Sequence, residues 1–239
     1  MPGAFQLSNA LSKRAESDRC KFLILCQPRT GSSLLNASLR KHPEIVMHRE
    51  ILNHQQPHKL PQDGKERIRA VYANQSAHAI GFNVHAFQPD RRWSGWQDWE
   101  PAWESIAEDH SIKIIHLDRL DTLAQFVSWK IAQITGLWGE QKALSTRPSV
   151  HVERGELRWF REWNQAVFAW RLSHLQRHSM LHITYEALCE KWEDSMMHIQ
   201  KFLGVNEQPL PQVVQKNETR PLSEVITNWS DFVHEYAKD

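Results

Sequence analysis

Five short apolar runs, rich in β-branched residues, alternate along this chain with stretches of helical character. The runs lie at Phe22–Cys26, Glu44–Met47, Ala79–Val84, Ile112–Leu117 and Leu181–Thr184. Continuous apolar strands separated by helices are typical of a parallel sheet that is buried on both faces. We therefore expect an α/β fold with three layers, α/β/α, in which a central and mainly parallel sheet lies between helices.

Helices are predicted between and after these runs, at Ser32–Lys41, Leu123–Leu137, Glu153–His178, Glu186–Leu203 and Leu222–Tyr236. The helix at 153–178 is predicted from apolar residues at roughly helical spacing, and Gly204 is a suitable C-cap for the helix before it. Segments 55–63, 139–150 and 208–221 are expected to be irregular.

Composition bounds the domain organisation and the class of protein. At 239 residues the chain fits one sizeable domain, which we place at residues 21–239 after an N-terminal extension of residues 1–20. The formal net charge of +1 provides no basic field for nucleic acid. Three cysteines form no disulfide framework, and we find neither a signal peptide nor a transmembrane segment. A cytoplasmic protein is expected.

A candidate phosphate-binding loop, Gln27–Ser33, directly follows the first apolar run and precedes a predicted helix. Gly31 lets the backbone approach an anion closely, and the N–H groups of the next helix carry partial positive charge. The Arg29 guanidinium is a planar, permanently charged partner for phosphate or sulfate. Hydroxyl donors come from Thr30, Ser32 and Ser33. A strand–turn–helix that binds no ligand is the alternative.

The loop differs from that of the nucleoside triphosphatases. Their motif is Gly-x-x-x-x-Gly-Lys-Ser/Thr, whereas Ser32 stands here at the lysine position and the early glycine is absent. Without that lysine and the associated magnesium ligands, a kinase or ATPase function loses most of its support.

A second candidate anchor, Arg119 with Ser128, follows the fourth apolar run. Arg119 lies just past a predicted strand end, where ligands of open parallel sheets bind, and Ser128 lies on the next predicted helix. The two side chains could converge on one phosphate through charge-assisted hydrogen bonds. Alternatively, Arg119 pairs with Asp118 or Asp121, and Ser128 is a small residue at a helix contact.

Together the two segments resemble the sulfotransferases that use 3′-phosphoadenosine 5′-phosphosulfate. Pro28–Leu35 is similar to their 5′-phosphosulfate loop, and Arg119–Ser128 is similar to their 3′-phosphate segment. The pattern is closest to one branch, the bacterial trehalose 2-sulfotransferases and the rhizobial nodulation-factor sulfotransferases. Further similar segments are Thr135-Gly136-x-Trp138, Tyr185–Leu188, Phe202–Gly204, Lys216–Leu222 and Ile226-x-Asn228.

The resemblance implies a P-loop-like fold, a donor site and a reaction. The donor-binding residues that it implies are Arg29, Thr30, Gly31, Ser32, Ser33, Arg119 and Ser128. The sulfuryl group passes to a hydroxyl of a carbohydrate or glycolipid acceptor, and 3′-phosphoadenosine 5′-phosphate is the second product. No metal is expected, and the oligomeric state is left open between a monomer and a homodimer.

The resemblance also implies catalytic roles. Arg29, with the loop amides, stabilises charge on the phosphosulfate, and Glu50 is the base that takes the acceptor proton. Alternatively, Glu50 is a solvated carboxylate paired with Arg49 or Arg91. The other candidate bases are His48, His54 and His85.

Asn83 departs from the family pattern, because it stands where a lysine is usual. A catalytically silent nucleotide-binding module is therefore one alternative function, and a divergent nucleotide kinase is another. The tryptophans at 93, 96, 99 and 103 fall at helical spacing, which favours a core or interface stripe over an acceptor platform. Residues 55–69 and 89–103 are expected to form the acceptor loops.

Overall fold

The computed structural model describes residues 19–53, 63–73, 77–88, 100–138, 147–213 and 220–236. Within them, five strands form one sheet: β1 (Cys20–Cys26), β2 (Ile45–Glu50), β3 (Ala79–His85), β4 (Lys113–Asp118) and β5 (Met180–Thr184). The strand order is β2-β3-β1-β4-β5, and every neighbouring pair is parallel. The prediction of a central parallel sheet is confirmed.

Helices account for most of the described residues that lie outside the sheet. They are α1 (Ser32–Leu39), α2 (Gly64–Tyr72), α3 (Glu100–Glu108), α4 (Thr122–Thr135), α5 (Arg154–His174), α6 (Tyr185–Glu190), α7 (Trp192–Leu203), α8 (Leu222–Val225) and α9 (Trp229–Tyr236). Helices α1, α6 and α7 pack on one face of the sheet, and α2, α3 and α5 pack on the other. This arrangement confirms the three-layer fold.

The core shows why the strands read as continuous apolar runs. In β1, Phe22 and Ile24 belong to the cluster under α1 and α7, whereas Leu23 and Leu25 belong to the cluster under α2 and α3. All four side chains are fully buried, as the central strand of a sheet covered on both faces requires. A third cluster joins α4 and α5 to α8 and α9.

Two of the predicted helices are each divided in two. The segment 186–203 breaks at Lys191, whose φ and ψ angles of −132° and 53° are not helical, so that α6 ends there and α7 begins at Trp192. The segment 222–236 breaks at Ile226, which forms a parallel bridge with Val150.

Helices α2 and α3 were not predicted. Asp63 begins α2 by accepting from the Glu66 N–H, so part of the expected acceptor loop at 55–69 is helical. The same holds for part of the segment 89–103, because α3 begins at Glu100. Trp103 of the expected tryptophan stripe is a buried core residue.

The connections around β1 and β4 place a crevice between these strands. From β1 the chain continues through α1 to β2, which lies in one direction along the strand order. From β4 it continues through α4 and α5 to β5, which lies in the opposite direction. Ligands of open α/β sheets bind where neighbouring connections diverge in this way, at the carboxyl ends of the strands. One predicted anchor segment, the loop at 27–33, follows β1, and the other, which begins at Arg119, follows β4.

Several predictions fall on residues outside the described ranges. They concern most of the N-terminal extension, His54, Arg91, the tryptophans at 93, 96 and 99, and residues 216–219. The division into an extension and one domain therefore stays a prediction, as does the cytoplasmic location. None of the helices in the described ranges is both long and apolar enough to cross a bilayer.

Candidate active site

The loop after β1 has the backbone shape of an anion cradle. Arg29 and Gly31 adopt positive φ angles of 65° and 90°. Helix α1 starts directly after Gly31, whose carbonyl accepts from the Leu35 N–H at 3.1 Å. The Tyr185 ring packs against Gly31, because a Cβ built at this position would lie 2.6 Å from Tyr185 Cδ2. Glycine is therefore required here by its φ angle and by this contact.

The hydroxyl groups of the loop serve different purposes. Thr30 is fully buried, and its Oγ1 donates to the Gln27 carbonyl at 2.8 Å, which closes the turn. Ser32 is buried and Ser33 is half-buried at the start of α1. Thr30 therefore stabilises the shape of the loop in this structure, while its contact with a donor stays a prediction. The predicted donor contacts of Ser32 and Ser33 also remain untested.

Arg119 is held at the loop by two contacts, and Gln125 on the next helix bonds to the same loop. The Arg119 Nη1 donates to the Arg29 carbonyl at 2.9 Å, and the Arg119 Cζ lies 4.5 Å from the centre of the Tyr185 ring. Gln125 adds a bond from its Nε2 to the Pro28 carbonyl at 2.9 Å. The Arg119 Nε is buried and has no hydrogen-bond partner within the described ranges. Such an atom indicates a missing acceptor.

The alternative in which Arg119 pairs with a neighbouring aspartate is not what the structure shows. Asp118 accepts from the backbone N–H of Arg119 at 2.7 Å, and Asp121 caps α4 by accepting from the Ala124 N–H. Both carboxylates thus hold the backbone that presents Arg119.

Arg29 connects the loop to the second predicted anchor. Its Nε donates to Ser128 Oγ at 2.9 Å, and its Nη1 donates to the Trp138 carbonyl at 2.8 Å. In this structure Arg29 contacts both Arg119 and Ser128, whereas the convergence of Arg119 and Ser128 on one phosphate stays a prediction. The Arg29 guanidinium lies with Ser128, in the expected 3′-phosphate region, whereas the sequence assigned it to the phosphosulfate.

The electrostatics of this crevice favour an anion. Burial lowers the pKa of Arg29, and the charges of Arg119 and Arg147 lower it further. In the part of the chain that the structure describes, neither Arg29 nor Arg119 has a carboxylate within ion-pair distance. Partly buried guanidinium groups that lie together are stabilised by an anion, so the residues present fit a phosphate or sulfate group.

Glu50, the candidate base, is the last residue of β2, and polar side chains surround its carboxylate. Oε2 accepts from Asn53 Nδ2 at 2.9 Å and from Gln88 Nε2 at 3.3 Å. Oε1 lies 3.7 Å from Nε2 of His85. Because His85 is paired in register with Cys26, the last residue before the loop, the Glu50–His85 pair lies at the same edge of the sheet as the loop.

Asn83 is the cross-strand partner of Glu50 in β3. Its side chain is buried, and its Oδ1 has no hydrogen-bond partner within the described ranges. The residue that replaces the usual lysine thus adjoins the candidate base and supplies a neutral amide instead of a cation.

Comparison with known proteins supports the resemblance. No family model matches the chain. It is 25% identical to Nodulation protein H of Rhizobium tropici in an alignment of 229 residues, which covers 90% of this chain and 89% of that protein. A sulfotransferase from Alicyclobacillus acidocaldarius aligns with a TM-score of 0.49 at 17% identity, over 91% of this chain and 92% of that one. The sulfotransferase domain from the curacin biosynthetic pathway gives a TM-score of 0.52 at 18% identity, over 89% of this chain and 86% of that one.

This chain has the sulfotransferase fold. The predicted resemblance to sulfotransferases of the nodulation-factor branch is confirmed, and it extends along nearly the whole length of both proteins. On this fold, the loop after β1 and the segment after β4 occupy the crevice described above.

A line of aromatic side chains leads from the candidate base to the surface of the sulfotransferase fold. The His85 ring lies 5.4 Å from that of Phe87, which lies 5.5 Å from that of Trp163 on α5. Trp163 stacks on Trp159 at 5.8 Å with an interplanar angle of 11°, and Trp159 is 49% exposed. We call these residues, Phe87, Trp163 and Trp159, the aromatic track.

Some residues of the site were not predicted from the sequence. Tyr185 and Glu186 were noted only as part of the resemblance, yet Tyr185 supports Arg119, and the Glu186 carboxylate accepts from the N–H groups of Leu120 and Asp121. Their position directly after β5 was the available signal, since residues at strand ends border the crevice. Arg147 was placed only in a loop.

Proposed function

We propose that this chain transfers a sulfuryl group from 3′-phosphoadenosine 5′-phosphosulfate to a hydroxyl group of a carbohydrate or glycolipid acceptor. The observation that carries this proposal is the contact of Arg119 with Arg29 in the crevice between β1 and β4. Within the described residues, neither guanidinium is paired with a carboxylate. The similarity to Nodulation protein H and the shared fold support the reaction class.

The chain offers separate groups for the two charged ends of the donor. The N–H groups at the start of α1, with Ser32 and Ser33, are suited to the 5′-phosphosulfate. Arg119 and Ser128 are suited to the 3′-phosphate. Arg29, a residue of the loop, joins the loop to this second group, because its carbonyl accepts from Arg119 and its side chain donates to Ser128. To reach the phosphosulfate, the Arg29 guanidinium would replace its hydrogen bonds to Ser128 Oγ and the Trp138 carbonyl with bonds to the phosphosulfate oxygens.

Glu50 takes the proton of the acceptor hydroxyl in this proposal. When bound, the donor supplies an activated sulfuryl group that the acceptor oxygen attacks. Asn53 and Gln88 donate to Oε2 of Glu50 and fix the carboxylate, so that Oε1 is directed towards His85. His85 is the alternative base, since it lies at the same edge and within 3.7 Å of Glu50.

The aromatic track supports a sugar as the acceptor. Aromatic faces carry partial negative charge and attract the polarised C–H groups on the flat side of a pyranose ring. The track begins next to His85 and ends at the exposed Trp159, so a saccharide stacked on it would present hydroxyl groups to the Glu50–His85 pair. Amide groups of Asn53 and Gln88 lie beside that pair and can bind hydroxyls.

Transfer of labelled sulfate tests this function. The full chain is incubated with sulfur-labelled donor and, separately, with disaccharides, glycolipids and simple phenols. Label on a carbohydrate hydroxyl is the expected result. Donor binding without transfer to any acceptor would favour the catalytically silent module, and magnesium-dependent turnover of ATP would favour the nucleotide kinase.

A further inference from the structure

Three side chains of metal-binding type lie together on the sheet face that α5 covers. His116 and Asp118 are alternate residues of β4 and therefore point to the same face, and His182 is paired with His116 in the register of β4 with β5. One potential ligand atom from each residue lies within 4.8 Å of the others. The cluster belongs neither to the Arg29–Arg119 crevice nor to the Glu50–His85 pair.

The His116 imidazole has an unsatisfied nitrogen. Its ring is packed between Phe168 of α5, at 4.8 Å, and His182, at 4.7 Å. Nε2 is buried and has no hydrogen-bond partner in the described part of the chain. Buried polar atoms nearly always have a partner, so this atom indicates a ligand.

Asp118 and His182 supply the other two potential ligands of the cluster. Oδ1 of Asp118 accepts from the Arg119 backbone N–H at 2.7 Å, which fixes the orientation of the carboxylate, as outer-shell hydrogen bonds do for metal ligands. His182 lies on the edge strand and is exposed, so its ring can turn without disturbing the core.

We propose that His116, Asp118 and His182 bind a divalent transition-metal ion, and that Zn²⁺ is the ion they fit best. Two imidazoles and a carboxylate are ligands that Zn²⁺ accepts, whereas Mg²⁺ and Ca²⁺ prefer oxygen alone. Bonds of roughly 2.0–2.1 Å place tetrahedral ligand atoms about 3.4 Å apart. The cluster closes to this size when the exposed His182 turns out of its stack on His116.

A metal here would have a structural role at the edge strand β5. It would join β5 to β4 and hold Asp118, whose neighbour Arg119 borders the donor crevice. Glu50 lies on β2, with β3 and β1 between it and β4. The ion therefore takes no part in the proton transfer, and the site does not depend on the proposed function.

Metal binding by the full chain tests this site. Chelator-treated protein is titrated with ZnCl₂ in competition with a chromophoric chelator, and Co²⁺ is added in parallel to record its visible ligand-field bands. We expect one equivalent of tightly bound Zn²⁺, intense Co²⁺ bands of a four-coordinate ion, and a higher unfolding temperature with Zn²⁺.

Three histidine variants make the test specific. His116→Asn and His182→Asn should each weaken binding on the order of 100-fold or more, since even the outer partners of metal ligands contribute 10–100-fold. His198→Asn, an exposed histidine of α7, is the matched control and should bind like wild type. Since His182 is exposed, its variant is expected to fold. Wild type without the tight equivalent, or His182→Asn with unchanged affinity and Co²⁺ bands, would overturn the proposal.

Discussion

Arg119 is held in place before any donor binds. The bond to the Arg29 carbonyl and the Tyr185 ring fix its guanidinium, while Asp118 and Glu186 hold the backbone on either side. A side chain that is fixed in this way loses little conformational entropy when it binds an anion. Its buried Nε is then the atom that gains a partner.

At Glu50, substitution by Gln should abolish turnover and spare donor binding. The amide keeps the shape of the side chain but cannot take the acceptor proton, so kcat is expected to fall roughly 100- to 10,000-fold. The Kd for 3′-phosphoadenosine 5′-phosphate should not change. His85→Gln is the comparison, because its ring adjoins Glu50. Unchanged turnover in Glu50→Gln, with loss in His85→Gln, would assign the base to His85.

At Trp159, substitution by Ala should weaken the acceptor alone. Loss of one stacked ring, worth about 0.5–1.5 kcal/mol, predicts a rise in acceptor KM of roughly 2- to 10-fold. Trp170→Ala is the matched control, because Trp170 is 51% exposed on the same helix and contacts His174 and Arg171, outside the track. Equal KM changes in the two variants would contradict a role for the track in binding the acceptor.

The turn between β1 and α1 depends on a glycine at one position. Gly31→Ala places a Cβ against Tyr185 at a φ of +90°, and should lower the free energy of unfolding by at least about 1–2 kcal/mol and impair donor binding. Gly155→Ala, near the start of α5, meets no atom within 4 Å and should be neutral or stabilise by up to about 1 kcal/mol. Urea denaturation of both variants checks this contrast. A Gly31→Ala variant as stable as Gly155→Ala would show that the turn does not need glycine.

The strands could be predicted because each is short, apolar and bounded by polar segments. Helices α2 and α3 could not be predicted in this way. Helix α2 buries only a narrow stripe that includes Ile68 and Val71, and its cap Asp63 follows a segment with two prolines. The break at Lys191 was also invisible, because the apolar pattern continues across it.

The position of the site follows from the strand order. Parallel pairing of β1 with both β3 and β4 brings segments distant in sequence to one edge: the loop after Cys26, Glu50 and Arg119. Local motifs predicted Arg29, Arg119 and Ser128, because each follows a strand or lies on the next helix. Tyr185 and the His116–His182 contact depend on β5 pairing with β4, and nothing local in the sequence specifies that register.

Calorimetric titration with 3′-phosphoadenosine 5′-phosphate tests the central claim most directly. Wild type should bind it, and should bind adenosine 5′-phosphate, which lacks the 3′-phosphate, more weakly. Arg119→Ala should lose roughly 10- to 100-fold in affinity for the bisphosphate, because hydrogen bonds to charged groups contribute about 1.5–3 kcal/mol, and should no longer distinguish the two nucleotides.

Arg177→Ala is the control for that titration. This exposed arginine precedes β5, at the amino-terminal ends of the strands, whereas the crevice lies at their carboxyl ends. The affinities of this variant for both nucleotides should match those of wild type. Wild type that binds neither nucleotide, or an Arg119→Ala variant that keeps its full preference for the 3′-phosphate, would contradict a donor site between β1 and β4.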